Sequence, residues 1–285
     1  MIVADDGSAS DVGSVARSFA GAINLQYFWC DHSGPGAARN IAIRNAEAPF
    51  LILWEDDLRP LARLLEYCLE FHRLHAAEQD ASLLYFAPDQ AIADVPAVRW
   101  AFNRLYPFPQ RAGLQNWGYF WSGALTCKKS LFRYGEFDPG YLSLEDADLG
   151  LRLSRQVDLR VHFEPRLTGT MTRRLTFTQI CSRQYSAGYF SYLFARANPG
   201  AVVFDFPPYN RPEGYLVADH QQLAAIVAAA HGLERQATAA NGQCFQMLCA
   251  LWSKAEIHAK ADGWITARDG RPPDPPGTIG AFLKE

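Results

Sequence analysis

Short apolar runs alternate with helical patterns along the first half of the chain. The predicted strands are four such runs, at residues 1–5, 24–29, 49–54 and 82–87. The predicted helices lie between them, at residues 10–20, 34–46 and 60–76. The run at 49–54, PFLILW, is apolar throughout, which is typical of a strand covered on both faces. This order predicts an α/β fold, a mainly parallel sheet flanked by helices.

The second half begins irregularly and becomes helical. Residues 88–118 are rich in proline, arginine and aromatic residues and predict a long loop excursion. Two further strands, a short helix and a longer helix opening at LEDADLG complete a predicted domain over residues 1–170. Residues 171–285 predict a helical C-terminal region with a proline-rich tail. Its predicted helices are at 173–197, 218–231 and 243–261, the last two ended by glycines.

Composition narrows the class of protein. The chain has 285 residues, 49% of them hydrophobic, and a net charge of −3 without a basic excess, so we expect no nucleic-acid partner. The six cysteines form no CxxC pair, which favours buried thiols of a reducing compartment. No leader pattern and no bilayer-length apolar run is seen. We expect a cytoplasmic protein, with the arginine-containing aromatic helix at 173–197 as a possible peripheral membrane contact.

Three acids, Glu55, Asp56 and Asp57, follow the apolar run at 49–54 directly. Ligands of open α/β sheets bind at the carboxyl ends of the strands. Crowded carboxylates repel one another unless a cation neutralises them, and Mg²⁺ or Mn²⁺ with diphosphate oxygens suits such ligands. The alternative is electrostatic stabilisation of the following helix N-terminus. The residues alone leave both open.

A second acidic group, Glu145, Asp146 and Asp148, opens a predicted helix. Capping of that helix accounts for one acid, but does not require three. A carboxylate in a partly desolvated cleft beside other acids gains proton affinity, which suits a general base. Helix cap and catalytic base again remain as alternatives.

Four sequence blocks occur in a characteristic order. They are IVADDGS (2–8), GPGAARNIAI (34–43), LILWEDDLRP (51–60) and the segment from SGALT to LEDADLGLRL (122–153). In this order they resemble the family 2 glycosyltransferases of the GT-A fold, over roughly residues 1–170. The family pattern also has a strand and a helix ahead of the first block, and a histidine metal ligand after the last strand. In this chain the segment after the last predicted strand reads RLTGTMTRR, without a histidine. His162 lies earlier, within that strand, and is expected to be structural.

The resemblance implies a role for each matching residue. The implied nucleotide-binding residues are Asp5, Asp6, Arg39, Glu55 and Asp56. The implied metal ligands are Asp57 and Glu55, holding Mg²⁺ or Mn²⁺. The implied catalytic pair is Asp146 as general base and Glu145, which would position either the acceptor or the base. Gly123 is expected near the donor sugar, and Trp117 and Trp121 are candidates for a sugar-stacking platform, with core packing as the alternative.

The implied reaction is a single displacement. A sugar moves with inversion from a nucleoside-diphosphate-sugar donor to a hydroxyl of a saccharide, lipid-linked or small-molecule acceptor. One rival hypothesis is a non-catalytic, degenerate glycosyltransferase-like scaffold. Another is a nucleotidyltransferase, which requires a glycine-rich, basic phosphate loop that residues 1–45 do not contain.

Overall fold

The computed structural model describes residues 1–106, 108–201, 212–216, 220–234, 236–237 and 242–274. The chain divides into two compact units. The first unit comprises Met1–Phe86 and Pro109–Gly169, and the second comprises Ala87–Phe108 and Thr170–Glu285. The proline-rich tail beyond residue 274 lies outside the described residues, and the predicted functional domains, 1–170 and 171–285, stay a prediction.

Eight strands and eight helices are described. The strands are β1 Ile2–Asp6, β2 Gln26–Cys30, β3 Phe50–Trp54, β4 Leu58–Pro60, β5 Asp80–Pro88, β6 Gly113–Gln115, β7 Ala124–Lys128 and β8 Arg160–Met171. The helices are α1 Val12–Ser18, α2 Pro35–Asn45, α3 Leu64–Leu74, α4 Pro96–Leu105, α5 Glu145–Val157, α6 Phe177–Ala197, α7 His220–Glu234 and α8 Gly242–Arg268. Short 3₁₀ turns at Trp117–Tyr119, Lys129–Tyr134 and Pro212–Tyr215 complete the described elements.

The first unit is an α/β structure, as expected, and its larger sheet includes antiparallel strand pairs. Strands β1 and β2 form a parallel pair of their own. The larger sheet has the order β3-β7-β5-β8-β4, with β6 paired to β8. Strand β7 lies antiparallel between β3 and β5, and β6 is antiparallel to β8. Apolar patterning reports burial and not direction, so the sequence did not reveal the reversed strand.

The core of the larger sheet lies at its centre. All five residues of β7 are buried, and Leu83, Leu84 and Leu125 have no exposed surface. The continuous apolar run of β5 is therefore a buried strand, as predicted. Strand β3 is different, because Phe50 at its start is 39% exposed while Leu51 is buried. β3 lies at the edge of the sheet, so its run of apolar residues does not indicate burial on both faces.

The predicted excursion at 88–118 contains a helix that the sequence analysis missed. Helix α4 begins with Pro96, which suits the first helical turn, and buries Val98 and Trp100. Within the second unit, the Trp100 and Phe177 rings lie 5.9 Å apart, and the Phe177 and Trp252 rings stack at 5.0 Å. The many aromatic residues of 88–118 suggested a loop in the sequence, because the core in which they pack forms only in the tertiary structure.

Glycines do not end the C-terminal helices where they were expected to. Helix α7 continues past Gly232 to Glu234, and α8 continues past Gly263 to Arg268. An added Cβ at Gly263 would overlap the carbonyl oxygen of Tyr185 on α6. This glycine therefore allows two helices to approach closely, which is a packing role for a glycine inside a helix.

Helix α6 begins later than predicted, at Phe177. Its N-cap is Thr176, whose side chain accepts a hydrogen bond from the backbone N–H of Gln179, while the Gln179 side chain accepts one from the Thr176 N–H. This capping box fixes the first turn. Among the described residues, none of the helices has the length and apolarity that a bilayer crossing requires.

Candidate active site

The side chain of Arg39 joins two acids that lie far apart in the sequence. Arg39 sits in the second turn of α2, which begins with Pro35 after Gly34, a residue with φ of +90°. Its Nη1 donates a 2.7 Å hydrogen bond to Oε1 of Glu145 at the start of α5. Its Nη2 donates to Oε1 of Glu55, directly after β3. The structure thus brings together three residues that the sequence blocks singled out.

Charge neutralisation explains why Arg39 is tolerated in this partly enclosed position. Burial opposes its charge, but the negative charges of Asp146, Glu55 and Glu145 outweigh that effect and raise its pKa. Only 15% of the Arg39 side chain and 9% of the Glu145 side chain are exposed. A buried ion pair of this kind is costly to break by removing one partner, since the other charge is left uncompensated.

Asp146 lies beside this ion-pair network and carries an altered proton affinity. Burial, followed by the charge of Glu145, raises its pKa to about 7, while Arg39 and a hydrogen bond from Ser122 act in the opposite direction. The fully buried Ser122 donates that bond from Oγ to Oδ1 of Asp146. Asp146 itself is half-buried. A carboxylate with a pKa near neutrality is suited to accept a proton at physiological pH.

The backbone ahead of this pair is strained. Leu144, the N-cap of α5, has φ of +65° and ψ of 13°, the left-handed region that non-glycine residues rarely adopt. Such strain persists where the surrounding structure imposes it, often at functional sites. The conformation of Leu144 fixes the orientation of Glu145 and Asp146 at the start of α5.

The third acid of the second group has a structural partner. Arg152 Nε donates a 2.8 Å hydrogen bond to Oδ2 of Asp148, one helical turn away. Arg152 also donates from Nη2 to the carbonyl oxygen of Glu136. Asp148 is buried in this arrangement. The acids of this group therefore differ in their surroundings. Asp148 lies in a structural ion pair, whereas Asp146 lies in the polar site.

Gly123 is placed directly against Glu55. The Glu55 backbone N–H donates a 2.9 Å hydrogen bond to the Gly123 carbonyl oxygen. A Cβ added at Gly123 would lie 2.9 Å from Cγ of Glu55, a separation that real Cβ atoms do not tolerate. The glycine therefore keeps the Glu55 side chain in reach of Arg39. It also places Ser122 beside the same segment.

The two aspartates of the first block bind protein groups. Asp5 is 5% exposed and accepts hydrogen bonds from the Tyr27 hydroxyl at 2.7 Å and the Ser8 N–H at 2.8 Å. The Tyr27 bond, more than any other contact, holds the pKa of Asp5 below its usual value.

Asp6 supports the loop that leads into α2. Its Oδ1 accepts from the Ser33 N–H at 2.7 Å, and its Oδ2 accepts from the Gly34 N–H at 3.0 Å. The ring of His32 lies 2.8 Å from the same Oδ2. Asp5 and Asp6 thus shape the rim between β1, β2 and α2, and their hydrogen bonds do not join them to Arg39.

Asn40 is a site residue that the sequence analysis quoted in its motif but gave no role. Its side-chain amide donates to the Phe137 carbonyl oxygen at 2.8 Å and accepts from the Phe137 N–H at 3.0 Å. Both residues are buried. These two hydrogen bonds hold residues 135–138 (GEFD) against the helix that carries Arg39. Ser122 was missed in the same way, although it opens the SGALT block.

The remaining candidate site residues lie after the end of β3 and before the start of β7. Asp56 is exposed and Asp57 half-buried in the turn between β3 and β4. Carboxylate oxygens of this turn are hard ligands, which fits Mg²⁺ or Mn²⁺. Glu55 already pairs with Arg39, and Asp57 remains the metal ligand expected from the sequence. Trp117 and Trp121 are both half-buried around the 3₁₀ turn that precedes β7.

Solved structures with the same fold include complexes with nucleotide sugars. The mannosyltransferase PcManGT from Pyrobaculum calidifontis, in complex with GDP-Man and Mn²⁺, superposes with a TM-score of 0.53 at 17% identity, over 93% of this chain and 77% of that one. Residues 1-349 of S. aureus TarS, in complex with UDP-GlcNAc, superpose with a TM-score of 0.51 at 14% identity, over 95% and 82%. At these identities the likeness shows the fold. Among curated protein sequences, none is significantly similar to this chain.

These findings show that the chain has the α/β fold of these structures. Residues 1–134 match the model of glycosyl transferase family 2. The resemblance expected from the four sequence blocks is therefore confirmed. The match ends before the acids of α5, so the roles of those residues are argued from their geometry.

Proposed function

We propose that this protein is an inverting glycosyltransferase that transfers a hexose-type sugar from a nucleoside-diphosphate-sugar donor to an acceptor hydroxyl, with Asp146 as the general base. The observation that carries the proposal is the environment of Asp146. Its pKa is raised to about 7, mainly by burial, and the Ser122 hydroxyl fixes one carboxylate oxygen. A base with this pKa accepts a proton from the attacking hydroxyl without being permanently protonated at neutral pH.

The neighbouring residues have distinct tasks in this mechanism. Ser122 orients Asp146, so that its other oxygen is available to the acceptor. Glu145 raises the proton affinity of Asp146 through its charge, and Arg39 limits that increase while holding Glu145 and Glu55 in place. Gly123 keeps a side chain out of the space beside Glu55. Together they hold the base in a fixed position, which is a large part of the catalytic effect in a displacement reaction.

The donor is inferred from the class. The TarS structure is a complex with UDP-GlcNAc, and the PcManGT structure is a complex with GDP-Man. We propose that the rim formed by Asp5, Asp6 and the start of α2 receives the nucleoside, with Arg39, Glu55 and Asp56 nearby. Trp117 and Trp121 are proposed to contact sugar, because aromatic faces stack on sugar rings.

A divalent cation belongs to the proposal. The PcManGT complex contains Mn²⁺. In this chain Asp57 would hold Mg²⁺ or Mn²⁺, with Glu55 in support, and the bound ion would neutralise charge on the departing diphosphate. The protein's own contribution there is a turn of hard oxygen ligands between β3 and β4.

Two parts of the proposal concern the rest of the chain. Residues 1–170 are proposed as the catalytic domain and 171–285 as an accessory helical region, in a protein that acts in the cytoplasm. Helix α6 buries Phe177, Ile180 and Tyr185 within the second unit. Its arginines remain the basis for a proposed peripheral membrane contact, with a saccharide, lipid-linked or small-molecule acceptor delivered from that surface or from solution.

The test compares two Asp→Asn variants on one helix. The protein is incubated with UDP-, GDP- and dTDP-sugars, Mn²⁺ and candidate acceptors, and release of nucleoside diphosphate is measured. Asp146→Asn is expected to abolish transfer while calorimetric binding of the nucleotide persists. Asp158→Asn, an exposed change at the other end of α5, is the matched control and should retain activity. An active Asp146→Asn protein contradicts the base assignment, and binding of none of the nucleotides favours the scaffold alternative.

A further inference from the structure

A second cluster of ionisable side chains lies away from the candidate active site. Asp80 is the first residue of β5, and Phe50 is the first residue of β3. Both strands run antiparallel to β7, which separates them, and the register places Leu51 and Ala81 opposite the same residue, Cys127. Asp80 therefore lies at the level where β3 begins. The acids of the active site follow the other end of β3.

Two histidines approach Asp80 at this end of the sheet. His162 of β8 places Nε2 3.1 Å from Oδ1 of Asp80. His75, directly after α3, has its ring centroid 4.1 Å from that of His162. One potential ligand atom from each of the three residues lies within 4.8 Å of the others. Asp80 is buried, whereas both histidines are half-buried and accessible to an entering ion.

These distances suit a small transition-metal ion. Zn²⁺ binds imidazole nitrogens and carboxylate oxygens at about 2.0–2.1 Å in a tetrahedral arrangement, which puts two ligand atoms about 3.3 Å apart. The 3.1 Å separation of His162 and Asp80 is close to that value. His75 joins them when its ring moves closer, since the three ligand atoms lie within 4.8 Å of one another. A water molecule would complete four-coordination.

We propose that His75, Asp80 and His162 form a transition-metal site, with Zn²⁺ as the ion that its ligands suit best. Two imidazoles and one carboxylate favour zinc over Mg²⁺ or Mn²⁺, which prefer oxygen ligands. The site is therefore chemically distinct from the turn that contains Asp57. It joins the end of α3, the start of β5 and the first residues of β8, so its bound ion stabilises the fold and takes no part in sugar transfer.

Positive neighbours set the affinity of this site. Arg160 Nε lies 2.8 Å from the Asp80 oxygen that faces His162, but makes no hydrogen bond to it. The Arg160 side chain is 37% exposed and has room to turn towards solvent when an ion arrives. Lys128 is held nearby, because its Nζ donates to the carbonyl oxygen of His75. Arg160 thus competes with the ion for Asp80, and its removal should tighten binding.

The experiment isolates this site from the proposed catalytic ion. Full-length Asp57→Asn protein is stripped with chelator and titrated with Zn²⁺, with affinity measured by calorimetry and melting temperature by calorimetric scanning. We expect one equivalent of Zn²⁺ to bind and to raise the melting temperature, because the ion binds the folded state. In the same background, His75→Asn and His162→Asn should each weaken Zn²⁺ binding about tenfold or more.

Two further variants sharpen the result. His231→Asn, which changes a histidine of the second unit, is the control and should bind Zn²⁺ as the parent protein does. Arg160→Gln should bind Zn²⁺ more tightly than the parent. The melting temperature of each metal-free variant shows whether it is folded, and Arg160→Gln tests the site without removing a ligand. Failure of the parent to bind Zn²⁺, or equal affinity in the two ligand variants and the control, overturns the proposal.

Discussion

Arg39 and Glu145 are separated by 106 positions in the sequence, yet Arg39 Nη1 donates a 2.7 Å hydrogen bond to Glu145 Oε1. The same guanidinium also reaches Glu55. Three of the four sequence blocks thus meet at one side chain. This contact explains why the blocks are informative together and weak when they are considered separately.

Removal of Arg39 is expected to destabilise the fold. Arg39→Gln leaves Glu145 buried without its cation and should lower the free energy of unfolding by about 3 kcal/mol. Arg39→Lys should lower it by less, since an ammonium group keeps the charge but lacks the planar fork that serves two carboxylates. Urea denaturation measures both.

Arg44→Gln is the matched control, one turn later on α2. The Arg44 side chain is 61% exposed and pairs with Glu136 at the surface. Its loss should cost no more than about 1 kcal/mol. Equal losses for Arg39→Gln and Arg44→Gln would refute the distinction drawn between a buried bridge and a surface pair.

The pH dependence of transfer should report the carboxyl of Asp146. Its pKa is raised to about 7, and only the deprotonated form accepts a proton. The rate of transfer should therefore rise with pH and level off above pH 7. Ser122 lowers this pKa through its hydrogen bond, so Ser122→Ala should move the inflection to higher pH.

Ser154→Ala serves as the control for this measurement. Its hydroxyl donates to the carbonyl oxygen of Leu151 within α5 and has no bond to Asp146. Its pH–rate profile should match that of the wild type. A Ser122→Ala profile with an unchanged or lowered inflection would disprove the assigned role of Ser122.

Gly150 is expected to be required for the position of α5. A Cβ at this residue would lie 2.6 Å from the Trp117 carbonyl oxygen, and backbone cannot yield as a flexible side chain does. Gly150→Ala should cost about 1–3 kcal/mol and reduce transfer, because Asp146 lies one turn earlier on the same helix. Thermal unfolding and product formation measure the two effects.

Gly232→Ala gives the opposite expectation for the same substitution. Among the described residues, no atom lies within 4 Å of a Cβ at Gly232, and the residue is inside α7. The change should stabilise the protein by about 0.4–1 kcal/mol. If both glycine variants behaved alike, close packing at Gly150 would not be the cause.

Divalent metal should be needed for transfer. Excess chelator is expected to remove activity, and added Mn²⁺ or Mg²⁺ to restore it. Asp57→Asn should raise the metal concentration required for half-maximal rate. Asp94→Asn, at an exposed acid, should leave that concentration unchanged. Undiminished turnover in chelator would contradict the role given to Asp57.

Much of the fold follows from local pattern. The positions of β1, β2, β5, α2 and α3 agree with their apolar periodicity to within a few residues, because burial on one face leaves a regular trace in the sequence. Helix α4 left no such trace, since the aromatic partners of Trp100 come from residues 177 and 252. The direction of β7 was also hidden, because hydrogen-bond pairing is a relation between strands.

The candidate site was likewise predicted only in part by the sequence. The sequence by itself determined the resemblance to family 2 glycosyltransferases, through four ordered blocks, and the identity of the acids at the strand end and at the start of α5. Only the tertiary structure decided what each acid does: Asp148 binds Arg152, Glu145 binds Arg39, and Asp146 accepts a hydrogen bond from the Ser122 hydroxyl. The same holds for His162, whose neighbours His75 and Asp80 are brought to it by folding. Residue type sets which chemistry is available, whereas proton affinity and ligand sets depend on distance and burial, which exist only once the chain has folded.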